Sequence, residues 1–296
     1  MAPTKNALVI GLSYDNGSKQ GKLKGHLDAI SWAGLLYKKK DYKIALLTEK
    51  SESVMMGGFK CYMKMNERDR IDNRLTFHSI DGKAATIKEY MRKFGRNSEK
   101  FENLFFFFAG HGDQYADNTL NEEGKVDEAD GKDEYIVTTD DTALRFSELV
   151  TDDVMFNLMV KPLHENITLT AVFDCCCSGS ILDLEYCEQN GGIVPTEDLL
   201  FRQKMKRKGR KVGSRKAKAN VVCLSACLDD QTADEDNSFG GYLSTALHGI
   251  LKHTPEPTYQ YLLKSIRKDL KKDRCKQEPT LSVSKKDFRL SKKFPL

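Results

Sequence analysis

The sequence predicts a three-layer α/β/α sandwich with a mostly parallel central sheet, and two observations lead to this fold class. Several short runs are apolar for most of their length, as strands covered on both faces are. Segments with helical periodicity lie between or after these runs. Strands that alternate with helices form a parallel sheet with helices on both faces. A chain of 296 residues is long enough for one such domain with insertions.

The candidate strands are rich in β-branched, leucine and phenylalanine side chains, which favour extended structure. In chain order they are Ala7–Leu12, Lys43–Thr48, Leu104–Phe108, Glu134–Val137, Leu169–Phe173 and Val221–Ser225.

The candidate helices place apolar residues three and four positions apart, which gives each helix one face for the sheet. In chain order they are Leu23–Tyr37, Ala84–Phe94, Asp152–Leu163, Tyr242–Leu251 and Tyr259–Leu270. The third follows Thr151 and opens with two aspartates, a pattern typical of a capped helix start.

Composition predicts an intracellular protein that does not cross a membrane. The longest apolar candidate, Leu104–Ala109, is far shorter than the about 20 residues that span a bilayer. The first residues, Met1–Asn6, lack the pattern of a secretory signal. Three of the eight cysteines are consecutive, Cys175–Cys177, which does not fit a disulfide framework. Reduced thiols in a reducing compartment are the simpler interpretation.

The segment Arg202–Lys218 carries ten Lys or Arg residues and no acidic residue. Without these ten charges the net charge of +4 becomes −6. Such a run binds nucleic acid or an anionic membrane in some proteins. Composition favours the other interpretation, a solvated linker.

Two of the predicted strands end in residues that can perform chemistry. Phe108 is followed by Ala-Gly and then His111, and Phe173 is followed by Asp-Cys and then Cys176. Because the carboxyl ends of parallel strands share one edge of a sheet, these side chains are expected to lie together there. A thiol beside an imidazole forms a nucleophilic pair, with Gly112 and the Cys176 amide as oxyanion donors. The alternative is that His111 merely ends a strand and the cysteines fill the core.

The sequence around these residues resembles the type I metacaspases, and the resemblance extends over nearly the whole chain. The motifs that carry the resemblance are Ala109-Gly110-His111-Gly112, Asp130-Gly131-Lys132-Asp133-Glu134, Thr151-Asp152-Asp153, Leu169 to Ser180 and Ser225 to Asp234. The resemblance implies a caspase-like fold and a cysteine endopeptidase, with His111 as the base and Cys176 as the nucleophile. It implies a role in cell death, while the expected cytoplasmic location follows from the lack of a secretory signal pattern. It also implies a large-subunit-like region 1–194, a basic linker 195–219 and a small-subunit-like region 220–296 within one domain, without an N-terminal prodomain.

Metacaspases cleave after Arg or Lys, so the resemblance implies a pocket with carboxylates. Asp174 matches one pocket aspartate of the family. Asp28 is the second candidate, although it stands one position earlier than the family's aspartate, with Ala29 in that place. His26 and Ala109 also replace the family's Cys and Ser.

Calcium activation is a further trait that the resemblance implies. The matching positions are Asp133, Asp152, Asp153 and Asp183, which all offer the oxygen ligands that calcium takes. Helix capping alone also explains Asp152 and Asp153.

The leading prediction is therefore a monomeric, calcium-stimulated endopeptidase that cleaves protein or peptide substrates after Arg or Lys and cuts its own basic linker. That linker is expected to lie across an acidic stretch beyond His111, from Glu122 to Glu134, because their charges are opposite. One alternative, which the changes in the pocket motif favour, is an inactive metacaspase-like scaffold or regulator. A second is a nucleic-acid or anionic-surface binder that uses Arg202–Lys218; nucleic acid and membrane are not expected as partners in the leading prediction.

Overall fold

A computed structural model gives the arrangement of most of the chain. It describes residues 3–15, 20–116, 132–196, 215–228, 235–236 and 240–296. The greater part of the basic linker, residues 197–214, and of the acidic stretch, residues 117–131, lies outside the described residues. So does the second half of the Ser225–Asp234 motif. The predicted contact between linker and acidic stretch therefore stays a prediction.

The described strands form one large sheet and two small ones. They are β1 (Lys5–Gly11), β2 (Tyr42–Thr48), β3 (Leu75–Ser79), β4 (Asn103–Ala109), β5 (Gly112–Ala116), β6 (Lys132–Ile136), β7 (Val150–Thr151), β8 (Thr168–Asp174), β9 (Tyr186–Gln189), β10 (Gly192–Pro195), β11 (Asn220–Ser225), β12 (Glu235–Asp236), β13 (Gly240–Gly241) and β14 (Thr280–Val283).

The large sheet has nine strands in the order β10-β9-β14-β11-β8-β4-β1-β2-β3. The six strands from β11 to β3 are mutually parallel. The other three pair antiparallel at one end of the sheet. The predicted mostly parallel sheet is confirmed, and the sheet takes strands from both sides of the predicted linker.

The helices cover both faces of the sheet. They are α1 (Gly25–Lys38), α2 (Glu52–Met63), α3 (Ala84–Arg96), α4 (Asp152–Met155), α5 (Tyr242–His253) and α6 (Tyr259–Lys272). A π-helical turn, Phe156–Val160, continues α4, and short 3-10 turns lie at Asn97–Lys100, Asp141–Ala143 and Phe146–Glu148. Thr151 and Thr258 cap α4 and α6, since each hydroxyl accepts a bond from the amide three residues later.

Alternation along the strands sends side chains into two separate cores. In β1, Ala7 and Val9 join the core under α1, α2, α5 and α6, whereas Leu8 and Ile10 join the core under α3 and α4. The phenylalanines of β4 divide in the same way, with Phe105 and Phe107 on one face. Both faces are covered, which explains why the strands are apolar throughout.

One predicted strand lies elsewhere than expected. The run Glu134–Val137 does not join the large sheet; residues up to Ile136 form β6, the middle strand of the small antiparallel sheet β5-β6-β7. A strand of the large sheet is covered on both faces, whereas in β6 Lys132 is exposed and Tyr135 is half-buried, which fits a strand outside that sheet. This small sheet extends from His111 towards the aspartates at the start of α4.

Among the residues that the structure describes, there is no helix with the length and apolarity needed to pass through a bilayer.

Candidate active site

The ends of β4 and β8 open into a small cavity at the carboxyl edge of the large sheet. The cavity has a volume of about 140 Å³. It is lined by Leu23, Gly25, Asp28, Ala109, Gly110, His111, Asp174, Cys175, Cys176 and Gly241. The structure thus brings together His111, Cys176 and the two candidate pocket aspartates. These residues are far apart in the sequence. They meet because the parallel strands β1, β4 and β8 lie side by side, so that their carboxyl ends are neighbours.

The His111 ring is oriented by a backbone carbonyl. Its Nε2 lies 3.1 Å from the Gly21 carbonyl oxygen. Because a carbonyl only accepts hydrogen bonds, Nε2 carries the proton in this contact, and Nδ1 of the neutral ring keeps a lone pair. Burial lowers the pKa of His111 below its usual value, and the bond to Gly21 partly opposes this effect. A neutral imidazole with Nδ1 able to accept a proton is the form that a general base requires.

Tyr14 holds the backbone of His111 and was not singled out from the sequence. Its hydroxyl accepts a hydrogen bond from the His111 amide at 2.8 Å and donates one to the Val137 carbonyl at 3.0 Å. The ring is fully buried and lies 4.8 Å from the His111 ring, centroid to centroid. The Tyr14 amide in turn donates to the Glu49 carboxylate at 2.7 Å. Tyr14 follows the end of β1, so the strand-end reasoning used for His111 also applies to it.

We expect Tyr14→Phe to lower the free energy of unfolding by about 1–3 kcal/mol, because the His111 amide and the Val137 carbonyl both lose a buried partner. Chemical denaturation measures the change. Tyr261→Phe, which removes a hydroxyl from an exposed tyrosine, is the control and should leave stability unchanged. Equal unfolding energies for Tyr14→Phe and wild type would contradict the role assigned to this hydroxyl.

Cys176 stands between two cysteines with different surroundings. Cys175 is buried, and burial raises its pKa well above the usual value. Burial also raises the pKa of Cys177 to about 12. Both neighbours therefore stay protonated thiols at neutral pH. Cys176 is half-buried and lines the cavity, which makes it the accessible thiol of the three on the His111 side.

Gly112, the predicted oxyanion donor, packs directly against Cys176. A Cβ at Gly112 would come within 2.2 Å of the Cys176 carbonyl oxygen, so only glycine fits there. Gly112 is not among the described residues that line the cavity. The close packing against Cys176 explains why residue 112 is a glycine. The role of Gly112 as an oxyanion donor stays a prediction.

The two candidate pocket aspartates, Asp28 and Asp174, face the turn before α5. Oδ2 of Asp28 accepts from the Gly241 amide at 3.1 Å, and Oδ2 of Asp174 accepts from the Ser244 amide at 2.8 Å. Both carboxylates are buried, at 4% and 6% exposure. A Cβ at Gly240 or Gly241 would come within 2.4 Å of Asp28 or 2.2 Å of Asp174. The Gly-Gly pair of β13 therefore closes against two carboxylates, and the described residues of the cavity wall include no Lys or Arg.

Three of the four predicted calcium ligands form one cluster. Oxygen atoms of Asp152, Asp153 and Asp183 lie within 4.8 Å of one another. Asp152 is fully buried, its Oδ2 accepts from the Glu134 amide at 2.9 Å, and burial raises its pKa well above the usual value. Asp183 has a positive φ of 47°, a conformation that aspartate tolerates better than most residues.

Asp133, the fourth predicted ligand, lies outside this group of three. It is buried on β6 beside Glu134, and its charge contributes to the raised pKa of Asp152. A cation side chain enters the cluster instead: the Arg215 guanidinium contacts Asp153, and its Nε lies 3.6 Å from Oδ2 of Asp183. Sequence reasoning did not single out Arg215, because one arginine within a basic run carries no distinguishing signal.

Comparison with known proteins agrees with this arrangement. The profile of the peptidase family described as the caspase domain matches residues 4–290. Metacaspase-1A of Aspergillus niger is 32% identical over 235 residues, which are 68% of this chain and 56% of the relative. Metacaspase-1 of Schizosaccharomyces pombe is 28% identical over 318 residues, 95% of this chain and 67% of the relative. The chain thus spans little more than half the length of the Aspergillus relative.

Solved structures show the same fold at low identity. A crystal structure of a protein from Geobacter sulfurreducens has a TM-score of 0.55 and 18% identity, covering 95% of this chain and 92% of the other. Caspase-1 of Spodoptera frugiperda has a TM-score of 0.53 and 10% identity, covering 99% and 92%. The predicted caspase-like fold is confirmed. With the family profile and the relatives in agreement, this chain belongs to the caspase domain family and is of the metacaspase type.

Proposed function

We propose that this chain is a cysteine endopeptidase that cleaves after Arg or Lys and is stimulated by calcium. The observation that carries the proposal is the single cavity that holds Cys176, His111, Asp28 and Asp174. If Cys176 only filled the core and His111 only ended a strand, nothing would require two buried carboxylates in the same cavity. A peptidase for basic residues requires this combination.

The reaction is acyl transfer in two steps. The Cys176 thiol gives its proton to Nδ1 of His111, and the thiolate attacks the carbonyl carbon of the scissile peptide bond. The tetrahedral intermediate collapses when His111 returns the proton to the leaving amine, which leaves a thioester on Cys176. Water then loses a proton to His111 and attacks the thioester. The second intermediate collapses to release the acid product, and His111 returns its proton to the Cys176 thiolate, which restores the thiol.

The surroundings of His111 support its two roles. Burial lowers its pKa, so the ring is neutral near pH 7 and can take the thiol proton. The Gly21 carbonyl holds Nε2 and keeps Nδ1 as the basic nitrogen. Tyr14 fixes the backbone beneath the ring. These contacts hold the ring in place before substrate arrives, and a base that is already oriented lowers the cost of proton transfer.

Arg or Lys preference follows from the charge of the cavity. Asp28 and Asp174 are held by amides of the α5 start, and amide donors stabilise the ionised form of a carboxylate. A substrate cation that enters the cavity loses its hydration water and gains contact with these two buried carboxylates. Arginine fits well because its planar guanidinium pairs with carboxylates through two parallel bonds.

The aspartate cluster fits a calcium ion in the chemistry of its donors. Three carboxylates converge within 4.8 Å, and an arginine cation lies among them, so the site accommodates positive charge. Asp152, Asp153 and Asp183 would hold the ion, with Asp133 on the adjacent strand as a further ligand. A bound ion would neutralise the charge of these carboxylates, which lie at the start of α4 and in the loop after Cys176. Self-cleavage within the linker 195–219 remains part of the proposal.

Turnover of fluorogenic peptides tests this function. Arg- and Lys-ended peptides should be hydrolysed in millimolar calcium and much more slowly in chelator, and Asp-ended peptides should not be cleaved. Asp152→Asn should raise the calcium concentration for half-maximal activity by about tenfold, because calcium affinity follows the number of charged ligands. Asp287→Asn is the control, with the same charge change on an exposed residue. Folded wild type that cleaves no peptide, whatever its end residue, would refute the peptidase and favour the inactive scaffold.

A further inference from the structure

Arg215 is an unusual neighbour for a predicted calcium site. Its guanidinium contacts the Asp153 carboxylate, and its Nε lies 3.6 Å from Asp183. The side chain is only 20% exposed and lies over the Phe156 ring, 5.8 Å from its centroid. Apolar stacking, partial burial and two acidic partners distinguish this contact from a mobile surface ion pair.

The carboxylate oxygens that face Arg215 are sealed from water. Oδ1 of Asp153 and Oδ2 of Asp183 are inaccessible to solvent. The three carboxylates have oxygen atoms within 4.8 Å of one another, and negative charges held this close repel one another. In the described structure the positive charge of Arg215 offsets part of this repulsion.

A divalent ion and Arg215 cannot share these oxygens. Calcium takes six to eight oxygen ligands at about 2.3–2.6 Å, a shell that leaves no room for a guanidinium on the same atoms. The two cations would also repel each other at contact distance. Binding of one therefore requires the departure of the other.

The position of Arg215 in the chain gives this exchange a consequence. Arg215 lies within the predicted linker 195–219, only five residues before β11 begins at Asn220. Ala217 and Ala219 between them are buried, and the Ala217 carbonyl accepts from Lys285 at 3.0 Å. The chain is thus anchored to the core from Ala217 onwards, and Arg215 is the contact that ties the linker end to the aspartates.

We propose that Arg215 is a resident counter-cation of the aspartate cluster, and that calcium must displace it, which frees the carboxyl-terminal end of the linker. This inference rests on the calcium part of the proposed function. It adds that the calcium affinity of the chain is set by competition with its own arginine. It also couples occupation of the cluster to exposure of a basic residue in the segment expected to be cut.

Calorimetric titration with calcium tests the competition. All proteins carry Cys176→Ala in the full chain, so that no self-cleavage occurs. Arg215→Gln should bind calcium about tenfold more tightly than the parent, because a unit cation no longer competes at contact distance. Lys216→Gln is the matched control: it removes the same charge from the next, exposed residue and should bind as the parent does.

The outcomes separate this inference from the proposed function. Equal affinities of parent and Arg215→Gln would refute the competition and leave the calcium site intact. Binding by Arg215→Gln alone would support the competition in its strongest form. Absence of binding by every protein would refute the calcium part of the proposed function and the exchange with it.

Chemical modification of arginine gives a second readout that does not depend on activity. Phenylglyoxal labels guanidinium groups, and peptide mass spectrometry locates the label. Calcium should increase labelling of Arg215 several-fold in the Cys176→Ala protein, whereas the exposed Arg70 should label equally with and without calcium. Arg215 labelling that calcium leaves unchanged or reduces would overturn the displacement.

Discussion

Replacing Cys176 with alanine is expected to lower peptide hydrolysis by at least about 10³-fold, because the other thiol that lines the cavity, Cys175, is buried and its pKa is raised, so it cannot take over the nucleophilic attack. His111→Ala should cause a loss of similar size, since the thiol then lacks its base. The double variant should be no slower than either single variant, because the two side chains act as one unit. Steady-state rates on an Arg-ended peptide measure all three effects.

Cys177→Ser is the matched control for Cys176. It removes a thiol from the adjacent residue, whose pKa is raised to about 12 and which is not among the described residues that line the cavity. We expect it to keep most of the wild-type rate. Labelling with iodoacetamide adds a structural check: Cys176 should react faster than the exposed Cys61 in wild type, and this advantage should disappear in His111→Ala. A fully active Cys176→Ala protein would disprove the assigned nucleophile.

The sequence was sufficient for the parts of the site that depend on strand ends. Apolar runs buried on both faces are visible as such, and their carboxyl ends must meet at one edge of a parallel sheet. His111 follows β4 and Cys176 follows β8, and both residues line the same cavity. The separate sheet β5-β6-β7 was not foreseeable in this way, because a short apolar run has no mark of the sheet that it joins.

Contacts between segments far apart in the sequence could not be predicted from local residue patterns. Tyr14 supports His111 across 97 residues, and Asp28 meets Gly241 across 213 residues. The sequence offered Asp28 only as a displaced match to a motif, and helix geometry left its direction open. The structure resolves the direction: Asp28 lies on the first turn of α1, and its carboxylate points to the cavity shared with Asp174.

Loss of one pocket carboxylate is expected to have the second-largest effect on activity. Asp174→Asn should lower kcat/KM for Arg-ended peptides by about 10²-fold, since removal of one partner of a buried charge pair costs about 3 kcal/mol. The Ser244 amide keeps an oxygen acceptor in the asparagine variant, so α5 should stay in place. Asp28→Asn should act in the same direction, because it also removes one negative charge from the cavity, and its Gly241 bond is preserved in the same way.

The preference for Arg-ended over Gln-ended peptides, rather than the rate on one peptide, shows whether these carboxylates recognise the charge of the substrate. For a peptide that ends in glutamine, neither variant should lose much activity, because no cation enters the cavity. The ratio of Arg to Gln turnover should therefore fall in both variants, whereas Asp287→Asn should leave it unchanged. If Asp174→Asn slows the two peptides equally while its thermal unfolding matches wild type, Asp174 serves the catalytic step and not recognition. If Asp28→Asn leaves the ratio intact, the one-position shift of this aspartate has removed it from recognition and Asp174 alone binds the substrate cation.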